Sequence, residues 1–220
     1  MYNIRRILLF VFGLFILSLG SVLSMRSGLG VSPTSSISYV LSTITGFSVG
    51  TVTFVFFLVL VLAQKIILGR TFHPKNYLQV FSSSIFGLFM DLSVWITSSI
   101  HTTLYFGSLI LLFTSIIFMG IGVSLILITD IIMTAPEGFC NAVSDRWKVK
   151  FSKVKTVYDV ASALFTITLA LIFIGKLTLI REGTIISALL VGRVVGFILE
   201  HFREKMTSIY TKESIGVVEE

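Results

Sequence analysis

Between Asp91 and Asp130 the chain carries no Asp, Glu, Lys or Arg. Crossing a hydrocarbon core takes about 20 consecutive apolar residues. Six runs reach that length, near Ile7–Met25, Val49–Leu68, Tyr77–Ile100, Leu104–Ile128, Val154–Ile174 and Thr184–Glu200. Hydrophobic residues make up 55% of the chain and charged residues 13%. Soluble domains carry about a quarter charged residues, so a water-exposed globule is excluded. At 220 residues the length suits one domain. The expectation is an all-α membrane protein of six transmembrane helices.

Two further stretches are too short and too polar to span, Ser32–Thr45 (SPTSSISYVLSTIT) and Thr134–Trp147 (TAPEGFCNAVSDRW). Each follows a long apolar run and opens on a proline, Pro33 or Pro136, which suits the first turn of a helix. They read as two short helices, re-entrant or interfacial; the alternative, full crossing by both, would move Lys65, Arg70 and Lys75 to the outside.

The net charge of +6 is not a nucleic-acid footprint, because the basic residues fall between apolar runs. With re-entrant short helices, Arg5, Arg6, Lys65, Arg70, Lys75 and the Arg146–Lys155 segment share one side with the C-terminal tail. Arg26, Lys176 and Arg181 are left on the other. The positive-inside rule then places both termini in the cytoplasm, in a multi-pass protein of the cell membrane. Arg5-Arg6 and the run after them read as a retained anchor, since a signal peptide has a shorter apolar region.

Cys140 is the only cysteine, which excludes an internal disulfide, and His73, His101 and His201 lack zinc spacing. No P-loop, nucleophile elbow, HExxH or closely spaced pair of catalytic carboxylates occurs. No enzymatic activity, metal or cofactor is expected. The partner implied is the lipid bilayer.

The halves repeat one order of features. Pro33, Phe47-Ser48, Thr51-Val52, Gly69-Arg70 and Gly87 match Pro136, Phe151-Ser152, Thr156-Val157, Gly175-Lys176 and Gly192 at an offset of about 103 to 106 residues. Three spans per unit would invert the copies in the membrane, a recurring transporter plan. The expected organisation is one bundle over residues 1–204, with repeats at 1–100 and 104–204. A polar, loosely ordered tail follows at 205–220.

Several of these segments together resemble the YczE/YyaS/YitT superfamily of bacterial multi-pass membrane proteins, with the YczE side closer. The segments are RSGLGVSPTSSISYVLS (Arg26–Ser42), TGFSVGTV (Thr45–Val52), LGRTF (Leu68–Phe72) and GLFMDL (Gly87–Leu92) in the first half. The second half adds APEGFCNAVSDR (Ala135–Arg146), FSKVKTVYDV (Phe151–Val160) and GTIISALLVGRVVGFI (Gly183–Ile198). The resemblance implies location and architecture, and names no substrate. Arg193 departs from the small or cyclic residue expected after Gly192.

Candidate site residues fall into three groups. Asp91 and Arg193 are the deepest charges, expected near mid-bilayer and facing each other. They read either as a structural ion pair or as part of a ligand or ion site. Arg26, Ser32, Pro33, Thr34, Ser35 and Ser36 combine a broken backbone, hydroxyls and a helix start, which suits an anionic or carboxylate-bearing ligand. A plain loop capped by Ser32 explains the same residues. Asp130, Pro136, Glu137 and Asn141 surround the second short helix, and Asp159 shares a helix face with Lys155. That pair reads as snorkelling toward the interface or as a gate.

Two functions stay open. One is a small-molecule or ion permease with its pathway between the repeats. The other is a non-transporting scaffold or accessory protein supporting a partner complex. A polar cavity between 26–36 and 130–141 favours the first, and a bundle packed solid by Phe and Leu favours the second.

Overall fold

The computed structural model describes residues 4–100, 102, 104–175 and 180–211, with side chains as far as Phe202. Lys176 and residues 212–220 lie outside the described residues. Among them the chain forms eight α-helices: α1 (Ile4–Ser27), α2 (Pro33–Thr45), α3 (Val49–Leu68), α4 (Leu78–Ile96), α5 (Tyr105–Thr129), α6 (Ala135–Trp147), α7 (Phe151–Leu169) and α8 (Glu182–Thr211). Two 3₁₀ turns join α3 to α4, and α7 ends in a π-helical turn, Ala170–Ile174. Six of the helices are long and apolar enough to cross a membrane. Helix α8 continues to Thr211, so the part of the expected tail before that residue is helical.

Helices α1 and α5 pack antiparallel at the centre. Arg6, at the start of α1, donates to the Thr129 carbonyl that ends α5. Further along, glycines set the spacing. A Cβ on Gly20 would lie 2.7 Å from the Met119 nitrogen, and one on Gly122 2.5 Å from the Leu17 nitrogen. Around this pair, α4 packs on α1 and α8 on α5. Helix α3 packs on α4 and α6, α2 on α3 and α7, and α6 on α7.

The first short helix begins inside the bundle. Thr166 of α7 donates to Ser36 of α2 at 3.0 Å, and Val40 clusters with Ala170. The two helices therefore run in parallel, with the start of α2 beside the last turn of α7, ahead of the π-helical turn. Thr166 stands about 22 Å along α7 from Phe151 at 1.5 Å per residue. Ser48 caps α3 only three residues after α2 ends. Asp91 and Val94 of α4 bond to Gly50 and Arg26, so α1 ends where α3 begins. The chain thus enters and leaves α2 at one end of the bundle. It enters and leaves α6 at the opposite end, between the end of α5 and the start of α7.

The turn into α2 depends on glycine. Gly28 and Gly30 take φ of +67° and +118°. At Gly30 space forbids a side chain as well, because a Cβ would lie 2.5 Å from Thr184 Oγ1. Leu29 between them accepts the Gly183 N–H at 2.8 Å, which ties this loop to the start of α8.

The distribution of polarity is inverted relative to a soluble protein. Phe81, Leu88, Trp95, Phe106 and Ile172 are exposed, while Ser18, Ser24, Ser36, Ser115, Ser124 and Thr129 are fully buried. Small hydroxyl residues let helices approach in lipid, and all of these but Ser24 bond back to a carbonyl three or four residues earlier. An apolar exterior on six such helices is stable only against lipid, so the chain is a multi-pass integral membrane protein.

Candidate functional site

Both short helices open into a single cavity of about 480 Å³. Ser32, Pro33, Thr34 and Ser35 line it from α2, and Thr134, Pro136, Glu137 and Asn141 from α6. Proline fixes the first turn in both helices. Neither Ser32 nor Thr134 closes its own helix with its side chain. Ser32 Oγ instead pairs with Thr34 Oγ1 at 3.0 Å. The first-turn N–H groups thus lack a side-chain cap, and each end carries the partial positive charge of a helix start.

Helix α7 contributes Lys155 and Asp159 to the same cavity. Lys155 Nζ lies 3.0 Å from Asp159 Oδ1 and 3.7 Å from Glu137 Oε1. All three side chains are about a quarter exposed, so water screens them only in part. The second Glu137 oxygen, Oε2, is buried and has no hydrogen-bond partner. Ser187 of α8, 1% exposed, also lines the cavity with an unpartnered hydroxyl. Thr53, Ser82 and Ser83 add hydroxyl residues from α3 and α4, while Leu14, Phe57, Phe86, Met119 and Ile126 make much of the wall apolar.

The start of α6 rests on a buried amide pair. Gln64 Nε2 donates to Gln79 Oε1 at 2.8 Å and to the Ala135 carbonyl at 3.3 Å. Gly138 faces both amides, and a Cβ there would lie 2.7 Å from Gln79 Nε2.

Of the thirteen candidates, Ser32, Pro33, Thr34, Ser35, Pro136, Glu137, Asn141 and Asp159 line this cavity, and five do not. Ser36 is buried behind the cavity, donating to the Pro33 carbonyl and accepting from Thr166. Arg26 turns away and donates to the Val94 carbonyl at 3.2 Å. Asp130 ends α5 in a left-handed conformation, its exposed carboxylate 3.8 Å from Arg6.

Asp91 and Arg193 do not pair. Asp91 accepts from Gly50 N–H and Ser48 Oγ, both at 2.7 Å, and Arg193 is exposed on α8. Nor is Asp91 at the middle of its helix. α4 stops at Ile96 rather than Ile100, leaving Asp91 about 8 Å from its end. A polar partner at the start of α3 accounts for the position: the carboxylate caps a helix N-terminus instead of seeking a cation.

Lys155 was recognisable as the partner of Asp159 from their four-residue spacing. Its approach to Glu137 was not, because that residue arrives on another helix. Thr53, Ser82, Ser83 and Ser187 gave no signal, since hydroxyl residues within apolar runs also serve close helix packing.

No curated protein and no solved structure matches the chain. Residues 4–200 match a family described as a family of unknown function, DUF6198, and the chain belongs to that family.

Proposed function

We propose that the protein is a permease for a small molecule, with its pathway running through the cavity where the two short helices begin. The observation that carries this reading is the convergence of both helix starts with Glu137, Lys155 and Asp159 on one cavity of about 480 Å³. That volume falls in the range of small-molecule sites. A scaffold has no need of such a space, and the cavity weighs against the solidly packed bundle expected of one.

The packing supports an inverted-repeat plan. If α1–α4 correspond to α5–α8, then α2 on α7 mirrors α6 on α3, and α1 on α4 mirrors α5 on α8. The short helices read as re-entrant, one from each face, with their positive ends meeting near the middle. Transporters place substrate at such broken-helix ends. The motif likeness to the YczE side of the YczE/YyaS/YitT superfamily supports this plan and is silent on substrate.

Arg5, Arg6, Lys65, Arg70, Lys75, Arg146, Lys148, Lys150 and Lys153 gather at one end of the bundle, with Arg26 and Arg181 at the other. The positive-inside rule makes the first end cytoplasmic, with both termini. At the start of α2, Thr34, Ser35 and the uncapped first turn suit the carboxylate of a ligand.

Proteoliposomes loaded with a metabolite mixture test the reading. Mass spectrometry should find one class of solute leaving faster than from protein-free liposomes, and Ser35→Trp, which fills the cavity, should abolish the difference. Identical efflux with and without protein rejects transport.

A further inference from the structure

We infer that the ligand of this cavity is a small zwitterion with an apolar body, of the amino-acid type. The inference rests on the cavity being a ligand site, as proposed above, and adds the charge pattern that the site reads.

Consider the charges that face the space. Glu137 and Asp159 bring two negative charges and Lys155 one positive, a formal sum of −1. Each uncapped helix start adds about +0.5. The lining is therefore close to neutral overall, with both carboxylates at α6 and α7 and an uncompensated positive end at α2, whose first turn has no acidic residue. A simple anion meets the two carboxylates, and a simple cation meets the two helix starts. A ligand that carries both charges and is neutral in total matches both.

Two unpartnered groups point to where it sits. Glu137 Oε1 is within reach of Lys155, but Glu137 Oε2 is buried with no donor. A carboxylate oxygen in that state lacks an N–H, which a primary ammonium supplies. Ser187, almost fully buried and unpartnered on the cavity wall, supplies a further donor or acceptor. The carboxylate end goes to the start of α2, whose first turn has hydroxyls and no acidic residue. Leu14, Phe57, Phe86 and Met119 leave an apolar wall for the rest of the molecule.

The experiment is thermal unfolding of the purified full-length protein with leucine, valine, methionine and phenylalanine at millimolar concentration. Each is compared with its analogue lacking only the ammonium and its analogue lacking only the carboxylate (for leucine, 4-methylpentanoate and 3-methylbutylamine). A ligand that binds only the folded form raises the midpoint. At least one amino acid should do so, and both its analogues should bind on the order of tenfold to a hundredfold more weakly, as expected for loss of a charge-assisted hydrogen bond. Glu137→Gln should shrink the gap between the amino acid and its ammonium-free analogue. The wild-type comparison alone decides the matter if that variant does not fold. Equal stabilisation by either single-charge analogue overturns the zwitterion, and so does the absence of any shift across the panel. Efflux of some other solute from proteoliposomes would leave the permease reading standing in those cases.

Discussion

The carboxylate of Asp91, on α4, holds the first turn of α3 by accepting the Gly50 N–H at 2.7 Å, while its other oxygen accepts the Ser48 hydroxyl at 2.7 Å. Ser48 itself caps α3 by accepting from the Thr51 N–H. One acidic side chain thus completes a helix start on a neighbouring helix. Asp91→Ala should cost about 1.5–3 kcal/mol, the range for hydrogen bonds to a charged group, while Asp91→Asn keeps one acceptor and should cost less. Exchanging the residues, Asp91→Arg with Arg193→Asp, should be at least as damaging as Asp91→Arg alone. Thermal unfolding in detergent measures all four. Recovery of stability in the exchanged protein would reinstate the ion pair that the structure does not form.

The same seam makes a contrast between glycines that the sequence places in corresponding positions. A Cβ on Gly50 would collide with the Gly87 carbonyl, and one on Gly87 would lie 2.7 Å from the Gly50 carbonyl. Backbone atoms cannot yield as a flexible side chain does, so each alanine substitution should cost about 1–3 kcal/mol, with Gly50→Ala the worse. Gly192 and Gly196 on α8 have nothing within 4 Å of such an atom. Gly192→Ala and Gly196→Ala should leave the unfolding midpoint unchanged or raise it slightly, since alanine favours helix over glycine. A loss at Gly192 equal to that at Gly87 would show that α8 packs on α7 as closely as α4 packs on α3.

Cysteine labelling distinguishes a re-entrant α2 from one that crosses. Phe47 is exposed where α2 gives way to α3, and Arg70 is exposed at the far end of α3. The re-entrant reading has an impermeant maleimide label Phe47→Cys in intact cells and Arg70→Cys only after permeabilisation. Complete crossing by α2 gives the reverse. Cys140 is fully buried and should stay unlabelled in the folded protein, so it need not be removed first.

The spans were readable because a membrane helix needs only length and apolarity, and α3 matches its expected bounds residue for residue. The short helices were readable because Pro33 and Pro136 mark their starts and because they are shorter and more polar than the six long runs. Interhelical pairing was not readable. The sequence pairs Asp91 with Arg193 because each is a charge inside an apolar run, and cost alone demands that such a charge be satisfied. It does not say by what, and a helix N-terminus serves Asp91 as well as a guanidinium would. Arg26 illustrates the same limit, since a long side chain beside a loop reaches whichever carbonyl the packing presents. Glu137 and Lys155 met unseen because their separation along the chain has no period.

Gln64 and Gln79 form a buried pair on which the start of α6 depends. Removing one amide leaves the other without its partner in a site closed to water, which costs about 1–3 kcal/mol. Gln64→Leu should be the more damaging, because Gln64 also holds the Ala135 carbonyl. The double variant Gln64→Leu with Gln79→Met should recover part of the loss, since both halves of the polar pair are then gone. Unfolding midpoints of the two single variants and the double one complete the cycle. Strict additivity would show that the two amides are not coupled.

The last prediction separates the structural from the ligand-binding part of the Glu137–Lys155–Asp159 cluster. Lys155 stands between two carboxylates, at 3.7 Å and 3.0 Å. Lys155→Gln removes the only cation of the three and leaves two like charges facing each other across a partly closed space. The cost should fall between the values for exposed and buried pairs, at about 2 kcal/mol. Neutralising the carboxylates at the same time, with Glu137→Gln and Asp159→Asn, removes the repulsion and should restore most of the midpoint. If the cluster exists only to join α6 to α7, the triple variant should also transport as the parent does. If it reads a ligand, the triple variant should fold and yet neither be stabilised by ligand nor release solute from proteoliposomes, because no charged side chain is left on the wall to recognise it. The zwitterion inference requires the second outcome, and a fully active triple variant would reduce the cluster to a helix clamp within a permease.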